Sequence, residues 1–533
     1  MADSRAEGVC RRLEQLRSYR ANFESLWQQI AERILPGEAQ FNTKRTPGEE
    51  RTEKMMDTTA ALALRKYATI LESLSTPSTH HRHKPRPGNE ALKDSGDVKE
   101  YRDRLNRLLY SLRYAPTANF AGQIGTAKLG LGAFGTSIMH VEADPVYGLR
   151  YRAIPLAEAY LAENHVGLIN TVFREWEMSA ENILAKWPDT APPDVRRAAE
   201  KSPDQMFTVI HAVRPIGEDE ARKLPQGMQF SSLYVCKASK TVLDDSGYYT
   251  FPYPISRDIT SAGEIYGRSP AVWALPDIKM MNEMNRSIMR AAQKAVDPPL
   301  LASEDGALSP FSLRPGFINP GTLDDNGNEL VKPLQSKADV GLGVDLLALK
   351  AQAINESFYI TLFQILVDNH TMTATEVMER AQEKGMLLGP VIGRDQSEFL
   401  GPLIEREIDL LARNPAYAWI VREMPEQLIE SGARYKIEYD SPMTRAMRAG
   451  DGVAIMRTFD GLAPWAQIRP EVFDNFDVDG IARTLSDING VPADLILPDE
   501  VVDKYREDKA QQMAAQVAMA NAPQLAEVAQ AAA

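Results

Sequence analysis

The segment from about residue 271 to residue 366 restricts the fold more than any other part of the chain. Helical periodicity over 271–296 stops at Asp297-Pro298-Pro299, and it resumes over 345–366. The intervening residues, 297–344, carry seven acidic side chains against three basic ones, a net charge of −4. Two helices joined by such an excursion form a protrusion that one chain stabilises poorly, so the pattern favours an assembly of several chains.

Two sequence patterns alternate in the rest of the chain. Apolar residues at three- and four-residue steps predict the helices 5–34, 54–74, 96–113 and 117–130. From Thr136 to about residue 251, short alternating runs predict a β-rich region with a helix near 178–200. A short strand (ARYKIEY) and more helices follow near the end. We therefore expect an α+β, mainly helical protein whose 533 residues exceed one domain.

The composition excludes several classes of protein. A net charge of −13 does not fit a general nucleic-acid-binding protein, whose surface would be basic. The two cysteines, Cys10 and Cys236, are too few for a disulfide framework and fit a reducing compartment. The run SFYITLFQILV is too short to span a bilayer, and no secretory segment follows Met1. We expect a soluble intracellular protein without a membrane partner.

Two glycine-containing motifs suggest ligand binding, but each has a simpler interpretation. Gly130 to Gly135 (GLGAFG) matches GxGxxG, yet a dinucleotide site needs a strand before the glycines and a helix after them. Here the order is helix, glycines, strand, which predicts a tight helix-to-strand turn. In the run DDNGNE, which starts at Asp324, Glu329 stands where a calcium loop needs glycine, and Asn326-Gly327 predicts a hairpin turn.

The other polar clusters do not predict chemistry. His80, His81 and His83 lie in a basic loop without a neighbouring Cys or carboxylate, so a solvated loop that could touch phosphate or a partner is preferred over a metal site. The dipeptide Gly-Lys of a phosphate-binding loop does not occur. The histidines, cysteines and carboxylates form no triad, zinc motif or acid pair. We predict no catalytic residue, no metal and no cofactor.

The helix predicted over 277–296 is amphipathic in an unusual way. Lys279, Arg286, Arg290 and Lys294 are spaced by seven, four and four residues, which places them on one helical face. Apolar and methionine side chains, including Ile278 and Met281, cluster opposite. One interpretation is an ordinary solvated face. The other is a cationic stripe that faces phosphate or the acidic side chains of a neighbouring subunit.

The stretch MTATEVMERAQEKGMLLGP, from Met372 to Pro390, combines a strong helix start with a helix breaker. Thr373 and Glu376 form a capping box, in which each side chain bonds the other residue's backbone amide. Gly389 and Pro390 interrupt the pattern, which then continues to about residue 411 with Pro402 as a second interruption. We predict one long helix kinked near Gly389-Pro390, and two or three shorter helices are the alternative.

Several stretches resemble the portal, or head-to-tail connector, proteins of short-tailed bacteriophages. They are the helix ending WQQIAERILP, the turn GLGAFGTSIMHVE, the run IYGRSPAVWALPDIKMMNEMNRS and the run MTATEVMERAQEKGMLLGPVIGRDQSE. The last two are the most specific, and the resemblance covers about residues 10–500. It implies a portal fold in which twelve copies form a ring with a central channel.

The family architecture divides the chain into a wing, a stem, a clip and a crown. The resemblance implies the wing at 1–270 with a β-rich region at about 136–260, stem helices at 271–297 and 345–366, the clip at 298–344, a tunnel loop at 367–373, a long kinked wing helix and return strand at 374–440, and a crown with a possible C-terminal barrel helix at 441–533.

The resemblance also implies site residues. Lys279, Arg286, Arg290 and Lys294 together with the tunnel-loop residues Asn369, His370 and Thr371 are candidate DNA-channel residues. Asp324, Asp325 and Glu329 are candidate docking residues of the clip.

The implied partners are those of a phage particle. They are further copies of the chain, double-stranded DNA bound without sequence specificity, the terminase motor, tail adaptor and nozzle proteins, and capsid with scaffold or internal core proteins. The protein would assemble in the host cytoplasm and reside at the portal vertex of the virion. Two alternatives stay open: a virion scaffold or adaptor without a channel, and an enzyme of the packaging system.

Overall fold

The computed structural model divides the chain into two compact units. It describes residues 3–44, 46, 48–76, 83–87, 96–144, 148–217, 224–302, 312, 314–319, 322–323, 326–334, 340–361, 389–430, 435–439, 442–466, 469–489, 497, 501–502, 504–509 and 511–513. The first unit comprises 1–81, 107–370 and 388–422, and the second comprises 82–106, 371–387 and 423–533.

The first unit is built from helices, two antiparallel sheets of five and three strands, and a separate two-stranded pair. Its helices are α1 (Ser4–Ile34), α2 (Thr59–Ser75), the end of α3 (Gly96–Arg113), α4 (Phe120–Phe134), α5 (Ala180–Lys186), α6 (Pro193–Lys201), α7 (Pro270–Val296), α8 (Val340–Ser357), a π-helix (Asp395–Leu400), α9 (Gly401–Ala412) and α10 (Trp419–Arg422). Short 3₁₀ turns lie at Pro36–Glu38, Pro116–Ala118, Leu156–Glu158 and Pro415–Tyr417.

Most strands of this unit lie where the alternating sequence predicts them, between Thr136 and about residue 251. They are β2 (Thr136–Asp144), β3 (Gly148–Ile154), β4 (Ala159–Glu163), β5 (Ile169–Ser179), β6 (Met206–Pro215), β7 (Phe230–Cys236), β8 (Thr241–Tyr248) and β9 (Ile255–Arg257), followed by the short pair β10 (Leu300–Ala302) and β11 (Val331–Pro333). Strands β4 to β8 form a five-stranded antiparallel meander, and β3-β2-β9 form a second sheet. The predicted β-rich region is therefore confirmed.

Helices cover both faces of the five-stranded sheet. The apolar stripe of α1, which includes Leu13 and Leu16, packs on one face against Tyr160, Phe173 and Ile210. The other face packs against α5 and α6. The sequence predicted one helix near 178–200, but prolines at 188, 192 and 193 divide it, because proline lacks the amide that would continue the helix.

The turn between α4 and β2 is tight, as the glycine spacing predicts. Helix α4 continues four residues beyond its predicted end, so Gly130 and Gly132 lie inside it, and Gly135 ends it with φ +78°. A Cβ at Gly132 would lie 2.7 Å from Leu64, so this glycine lets α4 approach α2 closely. Because the order is helix, turn, strand, the GxGxxG match does not form a dinucleotide site.

The second unit contains β1 (His83–Pro87), most of α3, α11 (Glu426–Glu430), β12 (Tyr435–Tyr439), α12 (Pro442–Ala466), a 3₁₀ turn (Pro470–Asn475) and α13 (Val478–Asn489). Strands β1 and β12 pair antiparallel, with His83 opposite Tyr439. The basic stretch around His83 is thus partly a strand, whereas the sequence predicted a loop, and His80 and His81 lie outside the described residues. The short strand predicted from ARYKIEY is confirmed.

Candidate functional site

Helices α7 and α8 form an antiparallel hairpin in the first unit. Helix α7 begins where Ser269 accepts a hydrogen bond from the Val272 amide, and Pro270 occupies its first turn. The Lys350 ammonium contacts the Asp277 carboxylate at 2.7 Å. Further along, Gly343 faces Ile288, and a Cβ there would lie 3.0 Å from that side chain. The predicted helix–excursion–helix arrangement is therefore present.

The second helix of the hairpin differs from its prediction at both ends. It begins at Val340 instead of 345, and it breaks after Ser357 before helical residues resume at 360–361; residues 362–366 of the predicted helix lie outside the described residues. Tyr359 stops it because its φ of +58° lies in the left-handed region, which a helix cannot include. Phe358 is fully buried, and its ring centroid lies 6.3 Å from that of Tyr67 on α2. Aromatic packing thus fixes the end of α8.

The four cations of the predicted stripe have three different environments. Lys279 donates to Gln29 of α1 at 2.6 Å, so it belongs to the packing of the first unit. Arg286 pairs with Glu283 one turn earlier at 3.1 Å. Arg290 and Lys294 are exposed. The stripe is therefore not uniform, and only its outer half is freely presented to a partner.

Large apolar side chains also lie on the surface of the hairpin, and the sequence did not single them out. On α7, Trp273 and Met289 are 60% and 61% exposed, and on α8 Leu349 is 63% exposed. Met280, Val296, Val344 and Leu346 are exposed as well. Several large apolar side chains exposed on one pair of helices indicate an interaction site. The signal in the sequence was the presence of apolar residues outside the face that contains Ile278 and Met281.

The excursion between the two helices carries the predicted turn. Leu323 and Glu329 form an antiparallel bridge around Asn326-Gly327, and Gly327 has φ +80°. The predicted hairpin turn is therefore confirmed. Glu329 is exposed, and Asp324 and Asp325 lie outside the described residues. Apolar side chains are exposed here too, among them Phe317 and Ile318.

Several predicted residues cannot be placed. Asn369, His370, Thr371, Thr373 and Glu376 lie outside the described residues, and so does most of the helix before Gly389. Residues 389–394, beginning with Gly389 and Pro390, are helical and lead into the π-helix. The predicted kink at Gly389-Pro390 therefore stays a prediction.

A π-helix lies just before Pro402, the second predicted interruption, and Pro402 stands in the first turn of α9. The Gly401 amide donates to the carbonyl of Gln396, five residues back instead of four. Two carboxylates of the π-helix, Asp395 and Glu398, pair with cations of other elements. Asp395 accepts two hydrogen bonds from Lys128 of α4, at 2.6 and 2.7 Å, and one from Ser256 at 2.8 Å.

Further charged contacts anchor the same segment. Arg257 of β9 donates to both oxygens of Glu398, at 3.0 and 2.9 Å. Arg113 forms a bidentate pair with Glu407, both side chains being inaccessible to solvent, and the Tyr151 hydroxyl donates to Glu407 at 2.6 Å. Burial dominates the environment of these groups and raises the pKa of Tyr151 well above its usual value. We call the three pairs Lys128–Asp395, Arg257–Glu398 and Arg113–Glu407, with Ser256 and Tyr151, the buried junction.

A contact between two glycines joins two of the four runs that carry the family resemblance. A Cβ at Gly135 would lie 2.4 Å from the Gly267 carbonyl oxygen, and one at Gly267 would lie 2.2 Å from that of Gly135. The Gly267 amide donates to the Thr136 hydroxyl at 2.9 Å. The turn in GLGAFG and the Gly267 in IYGRSP therefore cross at backbone contact, immediately before α7 begins.

The described residues hold neither a recognisable metal site nor a spanning segment. Among them, no group of three or more His, Cys, Asp or Glu side chains is arranged to hold a metal ion. No helix in the part of the chain that the structure covers is long and apolar enough to cross a membrane. Apart from Asp258, the buried Lys, Arg, Asp and Glu side chains among the described residues form ion pairs, which are typical of a structural role.

A body held by buried ion pairs, with a hairpin that leaves apolar and cationic side chains uncovered, is typical of a subunit of a larger assembly. Comparison with known proteins identifies the family to which this subunit belongs. The family model of the bacteriophage head to tail connecting protein matches residues 6–497, and the chain belongs to that family. The resemblance predicted from the sequence motifs is thereby confirmed.

Two relatives align over nearly their whole length. The chain is 29% identical over 518 residues to a probable portal protein of Bordetella phage BPP-1, covering 95% of this chain and 92% of the relative. It is 27% identical over 532 residues to the portal protein of Salmonella phage epsilon15, covering 98% and 94%. A chain of a native gene transfer agent virion aligns with 80% of this chain and 94% of its own length at 12% identity and a TM-score of 0.34.

Proposed function

We propose that twelve copies of the chain form a ring at one vertex of the capsid, with a central channel through which double-stranded DNA is packaged and ejected. The ring is the docking platform for terminase and then for tail adaptor and nozzle proteins, and it contacts capsid and scaffold or internal core proteins. Family membership and the two portal relatives support this role. The ring assembles in the host cytoplasm and becomes part of the virion.

The observation that carries the proposal is the uncovered surface of the α7–α8 hairpin. Side chains such as Met289 and Leu349 are exposed in the single chain, and neighbouring copies in a ring would bury them. In this proposal α7 and α8 are the stem, β10, β11 and the turn at Asn326-Gly327 belong to the clip, and the elements before α7 belong to the wing.

Electrostatics suits a channel through which DNA slides. A net charge of −13 per copy repels phosphate, so the duplex is not held by the counterion release that drives tight binding. Arg290 and Lys294 are the exposed cations of the hairpin and act as a limited counterweight. Lys279 has no such role, because it bonds Gln29.

Electron microscopy of the purified protein tests the ring. We expect closed rings with a central hole, and the double variant Met289→Glu/Leu349→Glu should remain monomeric while its melting temperature stays near that of the wild type. Met206→Glu, which changes an exposed methionine on β6, is the matched control and should still form rings. Wild-type particles without a hole would instead support a scaffold or adaptor without a channel.

DNA retention tests the channel. We expect Arg290→Glu/Lys294→Glu to change the amount of DNA retained in filled capsids, with normal ring yield. Arg11→Glu/Lys201→Glu, at two exposed cations outside the hairpin, has the same charge change and should behave as wild type. Unchanged DNA retention in Arg290→Glu/Lys294→Glu would show that these two cations do not act on DNA in the channel. Assays of ATP hydrolysis and DNA cleavage should detect no activity, and activity would favour the enzyme alternative.

A further inference from the structure

Asp258 is a buried carboxyl group whose side chain is not satisfied. It follows β9 directly, and its amide donates to the Gly135 carbonyl at 3.0 Å. Only about 5% of the residue is accessible to solvent. Within the described residues, no donor forms a hydrogen bond with either carboxylate oxygen. An ionised carboxylate in such a place is strongly unfavourable, so the group must find a donor or hold a proton.

Arg394 supplies a donor beside Asp258 but does not use it for the carboxylate. Its guanidinium donates to the main-chain carbonyl of Asp258 at 2.9 Å and to the Thr260 hydroxyl at 3.0 Å. Arg394 is also the residue immediately before the π-helix. The same cation can therefore reach two acceptors of one residue, the carbonyl oxygen that it bonds now and the carboxyl group that is unpartnered.

Charged and titratable groups from three other elements face Asp258. Asp395 of the π-helix adds negative charge, although Lys128 and Ser256 donate to it. Burial raises the pKa of the phenols of Tyr67 of α2 and Tyr359 after α8, and the nearby Asp258 adds to the rise in both. The Tyr67 hydroxyl is buried and lacks a hydrogen-bond partner among the described residues. Neither phenol supplies positive charge, so Arg394 is the cation that can stabilise an ionised Asp258.

We propose that Asp258 and Arg394 form a proton-controlled switch at the start of the π-helix. While Asp258 is protonated, Arg394 keeps its hydrogen bond to the main-chain carbonyl of Asp258, and the π-helix keeps the arrangement described above. Without that proton, the carboxylate draws the guanidinium away from the carbonyl and from Thr260. Residues 389–394 then move relative to β9, while Lys128 still holds Asp395.

The influences on the pKa of Asp258 place its loss of a proton near neutral pH. Burial is the largest influence and raises the pKa of Asp258 to about 7; Arg394 opposes the rise and Asp395 adds to it. The change lies within one chain and does not depend on ring assembly, so its test and that of the ring are independent.

Infrared titration of the full-length protein tests the protonation directly. We expect the carbonyl band of one protonated carboxyl group to disappear between pH 5.5 and 8.5 with a midpoint near 7, and Asp258→Asn to lack that band. Arg394→Gln should raise the midpoint by at least half a pH unit, because it removes the stabilising cation, and Arg394→Lys should lie between. Asp204→Asn, at an exposed aspartate, is the control and should match the wild type.

Hydrogen exchange tests the movement. After correction for the intrinsic pH dependence of exchange, we expect peptides covering 389–400 to change protection between pH 6 and 8 in the wild type and not in Asp258→Asn. No titrating band in the wild type, or a band that persists in Asp258→Asn, overturns the proposal. A pH-dependent change in protection that survives in Asp258→Asn also overturns it. If Asp258→Asn fails to fold, the Arg394 variants still test the proposal. A titration midpoint that is lower in Arg394→Gln than in the wild type would then overturn it.

Discussion

The buried junction and the α7–α8 hairpin both carry charged side chains on helices, but they use them in opposite ways. In the junction, Lys128 and Asp395 are almost inaccessible to solvent and each makes several contacts. On the hairpin, Arg286 makes one ion pair with Glu283, and both side chains are well exposed. The junction charges fix the fold of one chain, whereas the hairpin charges can change partner at little cost. Stability measurements should therefore separate the two regions clearly.

The largest effect should come from removing one partner of a junction pair. Lys128→Met leaves Asp395 as a buried charge whose remaining side-chain donor among the described residues is Ser256, and we expect a loss of about 3–5 kcal/mol in the free energy of unfolding. Denaturant unfolding followed by tryptophan fluorescence measures it. Lys128→Met/Asp395→Asn should recover part of the loss because no charge stays buried. A loss below about 1 kcal/mol in the single variant would show that the pair is not buried as described.

The next effect concerns the backbone crossing beside the junction. Gly135→Ala requires a left-handed residue with a Cβ 2.4 Å from the Gly267 carbonyl oxygen, so we expect a loss of roughly 2–4 kcal/mol. Gly130→Ala is the matched control, because it lies inside α4 with open space around it, and it should stabilise the protein by about 0.5–1 kcal/mol. Equal effects of the two substitutions would contradict the crossing.

Much of this fold follows from local sequence signals. Periodicity predicted α1, α3 and the hairpin helices, alternation predicted the sheets, and glycine spacing predicted the turn at Gly135. The ends of helices were less predictable. Tyr359 stops α8 because aromatic rings pack on Tyr67 of α2, and that contact depends on tertiary structure instead of on the residues around 359.

The site was predictable only in part. Spacing placed Lys279, Arg286, Arg290 and Lys294 on one face, but it did not show that Gln29, some 250 residues earlier in sequence, would bond Lys279. The junction pairs were missed because Lys128 and Asp395 are separated by 267 residues. The signal that could have revealed Lys128 was a single cation within the apolar and glycine-rich sequence of α4.

The buried His140 should make the stability of the core depend on pH. Burial is the main cause that lowers the pKa of His140 to about 3, and Arg174 and Arg406 add to it. Below pH 6.5 the unfolded chain binds a proton at this residue and the folded chain does not, so stability is lost as pH falls from 6.5 towards 3. By linkage, His140 should account for a loss of about 2 kcal/mol between pH 6.5 and 5.

Unfolding at several pH values checks this contribution. His140→Gln should lose less stability between pH 6.5 and 5 than the wild type. His165→Gln, at an exposed histidine on the β4–β5 turn, should follow the wild-type curve. Parallel curves for wild type and His140→Gln would mean that His140 is not held neutral in the folded chain.

The smallest effect on stability should come from a charge on the hairpin. A large effect there would contradict the contrast between the hairpin and the buried junction. Arg286→Gln removes one exposed pair at i and i+3, so the free energy of unfolding should change by less than about 0.5 kcal/mol. The same denaturant experiment measures it beside Lys128→Met. If Arg286→Gln cost as much as the junction variant, Arg286 would be an anchor of the fold. If it cost little but altered ring yield or DNA retention, the charge would act between chains or on DNA, because the single chain does not need it.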